Sequence, residues 1–211
     1  KLDFDLPKLY AVAIVLRSKG LKEQAERLFI KIKRKAEKMQ AYDHYIKALI
    51  ALKLSAGARL DRKAYNKYLI QQASAEAGKI AVERAKDIYY GFHFADSRLK
   101  PGGVAIRRVA QKAVSELNAA YQATGAVYVH YMSKMLLMEY YLAAENYQEY
   151  RATGHQLLGI LESSPHLFRV SDTTLLHSQL GVGAMYQLDF SKALEHFSKA
   201  RSGPDTQAST L

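Results

Sequence analysis

Hydrophobic positions near the end of the chain recur every three to four residues, which is the period of an α-helix. Ala193, Phe197 and Ala200 lie four and three residues apart, so they share one helix face. Leu194 widens this apolar face. The preceding segment has the same period, and its inward positions are Leu176, Gly181, Ala184 and Leu188. The short connection around Asp189 therefore predicts a tight hairpin of two amphipathic helices.

Gly181 lies in the middle of the first helix of this predicted hairpin. A glycine in a helix interior costs roughly 1 kcal/mol relative to alanine, so its presence calls for a structural reason. We expect a close approach of the two helices, with Gly181 against the partner helix near Ala193. An ordinary helical hairpin that belongs to no repeat is the alternative interpretation.

The same helical period runs through the rest of the chain. It predicts further helices at residues 7–18, 21–38, 41–54, 61–94, 104–123, 128–144 and 147–161. No segment shows the two-residue alternation of apolar and polar positions that is typical of strands. We therefore predict an all-α protein that forms a single helical-repeat domain over residues 1–211.

The predicted helix at residues 61–94 is longer than the usual helix of a repeat. Asp61 provides its N-terminal cap, and Gly57 with its two small neighbours ends the helix before it. Its apolar positions at helical spacing are Ala73, Ala77, Ile80, Ala81, Ile88 and Phe92. Residues 95–103, which contain two adjacent glycines and a proline, are the clearest loop and the predicted hinge.

The hairpin over residues 174–207 resembles a tetratricopeptide repeat (TPR), in which small residues let two antiparallel helices approach closely. This resemblance rests on Leu180, Gly181, the turn at residues 188–190, Ala193, Phe197 and Ala200. Residues 6–39 and 131–164 match more loosely. In the second of these segments, Tyr150 and Gly154 replace the small and the aromatic residue of the pattern.

The TPR resemblance implies a right-handed α-solenoid of antiparallel helix hairpins, with the long helix as an irregular unit in its middle. It also implies a scaffold that binds a protein or peptide, as one module of a larger bacterial protein. In that family the first helix of each hairpin lines a concave face that holds the partner. Carried over by position, the partner-binding residues are Tyr10, Ile14, Arg17, Met135, Glu139, Leu142, Ser178, Val182, Met185 and Tyr186.

The net charge of +11 is confined to one half of the chain. Residues 1–100 hold 22 lysines and arginines against 11 acidic residues, and the remainder is balanced at 9 against 9. A basic stripe on the second predicted helix consists of Arg27, Lys31, Arg34 and Lys38. We favour a solvated, lysine-rich surface as its explanation. The alternative is a nucleic acid or another polyanion as partner, although no base-reading motif accompanies the stripe.

Candidate chemistry is sparse in this sequence. It lacks cysteine and the histidine spacing of zinc enzymes, and it contains no glycine-rich phosphate loop. We therefore expect no catalytic activity, no metal and no cofactor, and we expect the seven histidines to be packing or surface residues. Because cysteine is absent and no apolar run approaches the roughly 18 residues of a membrane span, a cytoplasmic location is the expectation.

Tyrosines and methionines cluster around the hairpin that begins near residue 128. The cluster comprises Tyr128, Tyr131, Met132, Met135, Met138, Tyr140, Tyr141, Tyr147 and Tyr150. One interpretation is packing between neighbouring helices, where large side chains fill gaps. The other is an adaptable groove for a peptide, since both residue types combine contact area with a polar or flexible tip.

Overall fold

The computed structural model describes residues 5–96 and 104–201, apart from the side chains of residues 95 and 96. Within these ranges the chain forms helices and no strand, so the prediction of an all-α protein is confirmed for this part. The helices are α1 Asp5–Ser18, α2 Lys22–Lys38, α3 Tyr42–Ala58, α4 Arg62–Asp96, α5 Val104–Thr124, α6 Val127–Ala143, α7 Tyr147–Ser163, α8 Val170–Tyr186 and α9 Phe190–Arg201. Most of the predicted hinge, residues 97–103, lies outside the described residues, as do residues 202–207 of the hairpin match.

One turn recurs at five of the helix connections within the described residues. Each has a residue with positive φ just after the helix, namely Gly20, Gln40, Leu60, Glu145 and Leu188. After α3, for example, the Asp61 N–H donates to the carbonyl of Ala56 at 3.0 Å, and the Leu60 N–H donates to Gly57 at 3.0 Å. This pair of bonds is the Schellman closure of a helix C-terminus. The predicted helix end at Gly57 is therefore wrong, because α3 continues to Ala58 and closes at Leu60.

The first three of these turns lie 20 residues apart, which gives the first four helices a common register. Phe29 and Leu49 occupy equivalent positions in α2 and α3, and both are buried. Ile32 and Leu52 form a second equivalent pair, and neither is exposed at all. These apolar side chains build the core that α1, α2 and α3 share.

The chain divides into two compact units, residues 1–82 and residues 83–211, and the division falls between Val82 and Glu83 within α4. In the first unit, α1, α2 and α3 pack on one another. In the second unit, α5 packs on α6, α6 on α7, and α8 on α9, with a less extensive contact between α7 and α8.

Glycines set the distance between neighbouring helices in the second unit. A Cβ placed on Gly181 would come within 2.7 Å of the Phe197 ring, so α8 and α9 approach as closely as predicted. The residue in contact is Phe197, one turn beyond the expected Ala193. On the opposite side of α8, Gly183 faces the ring of Tyr150 on α7 in the same way.

Tyr150 and Gly154 depart from the TPR pattern, and the structure gives a physical reason for both. The Tyr150 ring on α7 enters the space above Gly183 of α8, and a Cβ on Gly154 of α7 would collide with Leu180 of α8. Each helix therefore supplies one large and one small residue to the α7–α8 contact. The exchange of residue types in α7 is compensated by the glycine at position 183 of α8.

Several predictions of inward-facing residues are wrong. Leu188 is 74% exposed because it lies in the turn rather than on α8, and Leu194 is 69% exposed on the outer face of α9. In α4, Phe92 is buried as predicted, but Ile80 of the same predicted face is 68% exposed, while Ala75 and Ala85 outside that face are buried. Ala73 and Ala77 are exposed as well.

Candidate functional site

Five of the seven partner-binding residues predicted in the second unit line a single cavity of about 180 Å³. They are Met135, Glu139 and Leu142 of α6 and Ser178 and Val182 of α8. Three further residues complete the wall, namely Met138, Tyr150 and Gln179. Sequence reasoning placed Met138 and Tyr150 in the tyrosine–methionine cluster but assigned none of these three to the site.

Tyr150 fixes the wall that α7 contributes to this cavity, which we call the α6–α8 cavity. Its ring lies over Gly183, and its hydroxyl donates a hydrogen bond to the backbone carbonyl of Gln179 at 2.7 Å. Burial raises the pKa of Tyr150 above its ordinary value, so the phenol stays a neutral donor at physiological pH. The side chain is therefore locked by packing and by a hydrogen bond at the same time.

Glu139 places a carboxylate in this otherwise mostly apolar lining. The Tyr89 hydroxyl donates to its Oε1, and His93 Nε2 lies 3.0 Å from its Oε2. The rings of Tyr89 and His93 meet edge to face with centroids 4.5 Å apart. Burial, and then the hydrogen bond to Glu139, raises the pKa of Tyr89. The carboxylate is thus held in position by two residues of α4.

Polar atoms contribute little to the surface of the α6–α8 cavity. Gln179 Oε1 is buried and accepts no hydrogen bond from any residue that the structure describes. The Ser178 hydroxyl donates to the Thr174 carbonyl at 3.1 Å, which leaves its lone pairs for a further donor. The cavity therefore presents a largely apolar surface to a bound group.

The two remaining predicted residues of α8 lie outside the cavity lining on the exposed surface. Met185 is 49% exposed, and Tyr186 is 61% exposed with its ring stacked on Tyr147 at a centroid distance of 5.9 Å. Val182 is 39% exposed although it lines the cavity. The exposed part of α8 thus adds an apolar and aromatic surface to the cavity.

Two of the three predicted residues of the first unit, Tyr10 and Ile14, are partly buried against its core. Tyr10 meets Phe29 edge to face at 5.9 Å, and Ile14 is half-buried against the core. Arg17 is exposed and places its guanidinium 5.8 Å from the Phe29 ring centre, as in a cation–π contact. Lys47 makes a similar contact with Tyr10 at 5.9 Å.

The basic stripe lies on the exposed side of α2. Arg27, Lys31, Arg34 and Lys38 are all exposed, as a solvated surface and an anion-binding surface both require. The first three line an open depression together with Ile30 and Lys35. Lys35 also lies 3.6 Å from Asp5, so one acidic group is near the stripe.

Three histidines from three different helices lie close together on the second unit, a proximity that the sequence did not predict. His177 Nδ1 of α8 lies 3.2 Å from His196 Nδ1 of α9, and the ring of His155 on α7 is 6.2 Å from that of His196. Burial lowers the pKa of His177 and of His196. Among the described residues no group of three potential ligands is arranged to hold a metal ion.

Across residues 5–96 and 104–201, no helix is both long and apolar enough to cross a membrane. Comparisons with protein-family models, curated proteins and solved structures find no match. The function is therefore inferred from the geometry of the α6–α8 cavity and of the basic stripe on α2.

Proposed function

We propose that this chain is a TPR-like α-solenoid that binds a protein or peptide partner and performs no catalysis. The observation that carries the proposal is the convergence of five predicted groove residues, from two hairpins, on the α6–α8 cavity. The repeated helix turns and the glycine contacts of α8 also support a stack of similar hairpins.

The size of the cavity supports a partner that inserts one side chain. Pockets for small molecules and cofactors usually measure about 300–1,000 Å³, and this cavity is smaller, at about 180 Å³. Protein interfaces often derive most of their binding energy from a few side chains that enter such pockets. Exposed Met185 and Tyr186 on the same helix would add contact area around the anchor.

A peptide-display selection tests this proposal. Peptides are selected on the wild-type protein and then compared on Val182→Arg, which puts a large charged side chain at the cavity. Leu175→Arg is the matched control, because Leu175 is an exposed residue of the same helix at 51% and does not line the cavity. We expect the selected peptides to bind the Leu175→Arg variant as they bind the wild type, and not to bind the Val182→Arg variant. Peptides that bind both variants equally, or a selection that enriches none, would contradict the proposal.

A second candidate function is polyanion binding by the α2 stripe. Arg27, Lys31 and Arg34 form no ion pair within the described residues, so their charges are available to phosphates. The double variant Lys31→Glu and Arg34→Glu should then no longer shift a labelled oligonucleotide in a gel, and it should elute from heparin at lower salt than the wild type. Its thermal unfolding should be unchanged, since exposed charges contribute little to stability. Equal heparin elution of the double variant and the wild type would rule this candidate out.

A further inference from the structure

We propose that three histidines form a proton-sensitive switch for the α6–α8 cavity, an inference that rests on the proposed function because it concerns regulation of the same site. The switch is the histidine cluster, which consists of His155 on α7, His177 on α8 and His196 on α9. Proton uptake by this cluster displaces α8 and thereby weakens partner binding at the cavity. The inference follows from the geometry of the cluster and from α8, which lines both the cluster and the cavity.

The imidazole rings of the cluster lie close enough to repel one another when they are protonated. His177 Nδ1 lies 3.2 Å from His196 Nδ1, so one of the two rings must be neutral to accept this hydrogen bond. His196 is only 7% exposed, and the ring of His155 lies 6.2 Å from it. Burial lowers the pKa of His177 and of His196. The observed arrangement therefore belongs to a cluster that is not fully protonated.

The charges around the cluster do not compensate for added protons. The cluster lines a cavity of about 590 Å³ together with charged residues of α7 and α9, namely Arg151, Glu162, Lys192, Glu195 and Lys199. Lys199 is paired with Glu195 at 2.6 Å, and Lys192 is paired with Asp189 at 2.8 Å. These fixed charges are nearly balanced. Each proton that the cluster takes up therefore adds positive charge without a new partner for it.

Helix α8 connects the histidine cluster to the α6–α8 cavity. His177 belongs to the cluster, while the next residue, Ser178, lines the cavity together with Val182 one turn further along. The Tyr150 hydroxyl, on the α7 wall of the cavity, donates to the carbonyl of Gln179 on the same helix. Because a helix moves largely as a rigid element, displacement of His177 also displaces these cavity residues of α8.

Close contacts on both sides make α8 sensitive to a small displacement. The Phe197 ring of α9 lies against Gly181, and the Tyr150 ring of α7 lies against Gly183. Packed contacts of this kind hold discrete arrangements and do not deform continuously. Repulsion between protonated rings on α8 and α9 acts on both contacts. A partner that fits the observed cavity therefore binds the less protonated cluster, and its binding opposes proton uptake in return.

Methyl NMR of the methionine-labelled protein without a partner tests the switch independently of the proposed function. The pH is lowered from about 7.5 to about 5, across the ordinary range of histidine titration. We expect the Met135 and Met138 methyl signals to shift in step with the ring signals of His177 and His196. Met39 belongs to the first unit and should not follow this titration. Met135 and Met138 signals that stay unchanged while the two histidines titrate would overturn the inference.

Three variants separate the cluster from another histidine near the cavity. His93 Nε2 lies 3.0 Å from Glu139 in the cavity lining, so its titration is a competing source of a pH response. His196→Gln and His177→Gln should each remove most of the response of the methionine signals, whereas His93→Gln should retain it. A response that His93→Gln removes, or that both cluster variants retain, would overturn the inference. Thermal unfolding at neutral pH confirms that each variant is folded.

A display-selected peptide that lacks histidine and acidic residues tests the consequence for binding. We expect its affinity for the wild type to fall about tenfold from about pH 7.5 to about pH 5, and its affinity for His196→Gln to fall much less. Equal wild-type affinities at the two pH values would overturn the inference while supporting the proposed function. A selection that enriches no peptide would contradict the proposed function, and the methyl signals of the free protein would still decide whether the switch exists.

Discussion

The α1–α3 core of the first unit and the α7–α9 contacts of the second unit are packed by different means. In the α1–α3 core, large aliphatic and aromatic residues such as Phe29, Ile32 and Leu52 fill the space between helices and are almost completely buried. A ring against a glycine occurs in this unit where Tyr42 meets Gly78 of α4. In the second unit, the α7–α8–α9 contacts are set by side chains that enter the spaces above glycines. The first arrangement fills its interior with apolar atoms. The second brings helices closer, and the largely apolar α6–α8 cavity lies beside these contacts.

The two kinds of packing respond to opposite changes in side-chain volume. A core of aliphatic side chains loses stability when a substitution removes volume, whereas a contact at a glycine loses stability when a substitution adds volume.

Leu52→Ala should give the largest loss of stability, about 2–5 kcal/mol, because it leaves a void in a fully buried position of the first unit. Leu54→Ala is the control on the same helix, since Leu54 is 58% exposed and should change the free energy of unfolding little. Urea unfolding of both variants measures the difference. Similar losses for the two variants would show that α3 does not face the core as described.

Gly183→Ala should destabilise by about 2–3 kcal/mol, because the new methyl group would collide with the locked ring of Tyr150. Gly159→Ala should instead stabilise by about 1 kcal/mol, since a Cβ there meets nothing within 4 Å and alanine is the better helix former. The two changes are chemically identical and differ only in the space around the glycine. A stabilised Gly183→Ala would disprove the close α7–α8 contact.

The histidine cluster makes stability depend on pH. Burial, with help from nearby positive charge, holds the pKa of His177 and of His196 below the ordinary value. The unfolded chain therefore binds more protons between the ordinary pKa of about 6.5 and the lower folded pKa. The free energy of unfolding should therefore keep its full value above about pH 6.5, and it should fall as the pH drops from there through the folded pKa.

Urea midpoints at several pH values between neutral and mildly acidic measure this dependence. His196→Gln should flatten the pH dependence, because it removes one titrating group and the repulsion that its protonation creates. His166→Gln is the control outside the cluster. An unchanged pH dependence in His196→Gln would show that the 3.2 Å contact between His177 and His196 has no energetic role.

The smallest predicted effect concerns the shared turn. Leu60 has a φ of 60° and is 91% exposed, so its side chain adds strain and little packing. Leu60→Gly should stabilise by about 0.5–1 kcal/mol, because glycine adopts this conformation without the steric cost. Gly20→Ala is the reverse change at the equivalent turn, and it should destabilise by a similar amount. A lower melting temperature for Leu60→Gly, or a higher one for Gly20→Ala, would contradict this explanation of the turn.

Local sequence patterns predicted the helices well because periodicity depends only on neighbouring residues. The α8–α9 hairpin and the role of Gly181 followed from such a pattern. The turn at Leu60 was missed because the left-handed position there is occupied by a branched apolar residue and not by glycine. No local signal distinguishes that leucine from a core residue.

The candidate site was only partly predictable for a different reason. Positions carried over from the TPR resemblance found Met135, Glu139 and Val182, but the wall that α7 contributes depends on a contact between Tyr150 and Gly183. The anchoring of Glu139 by Tyr89 joins residues 50 positions apart. Contacts of this kind arise from tertiary structure and have no signature in one sequence.

Methyl NMR of the methionine-labelled protein with a peptide from the display selection tests whether the α6–α8 cavity is the partner site. We expect the Met135 and Met138 signals to shift on addition of the peptide, the Met185 signal to shift less, and the Met39 signal to stay unchanged. The same titration with Val182→Arg should show none of these shifts. A peptide that shifts Met39 and leaves Met135 and Met138 unchanged would contradict the claim that the α6–α8 cavity is the partner site.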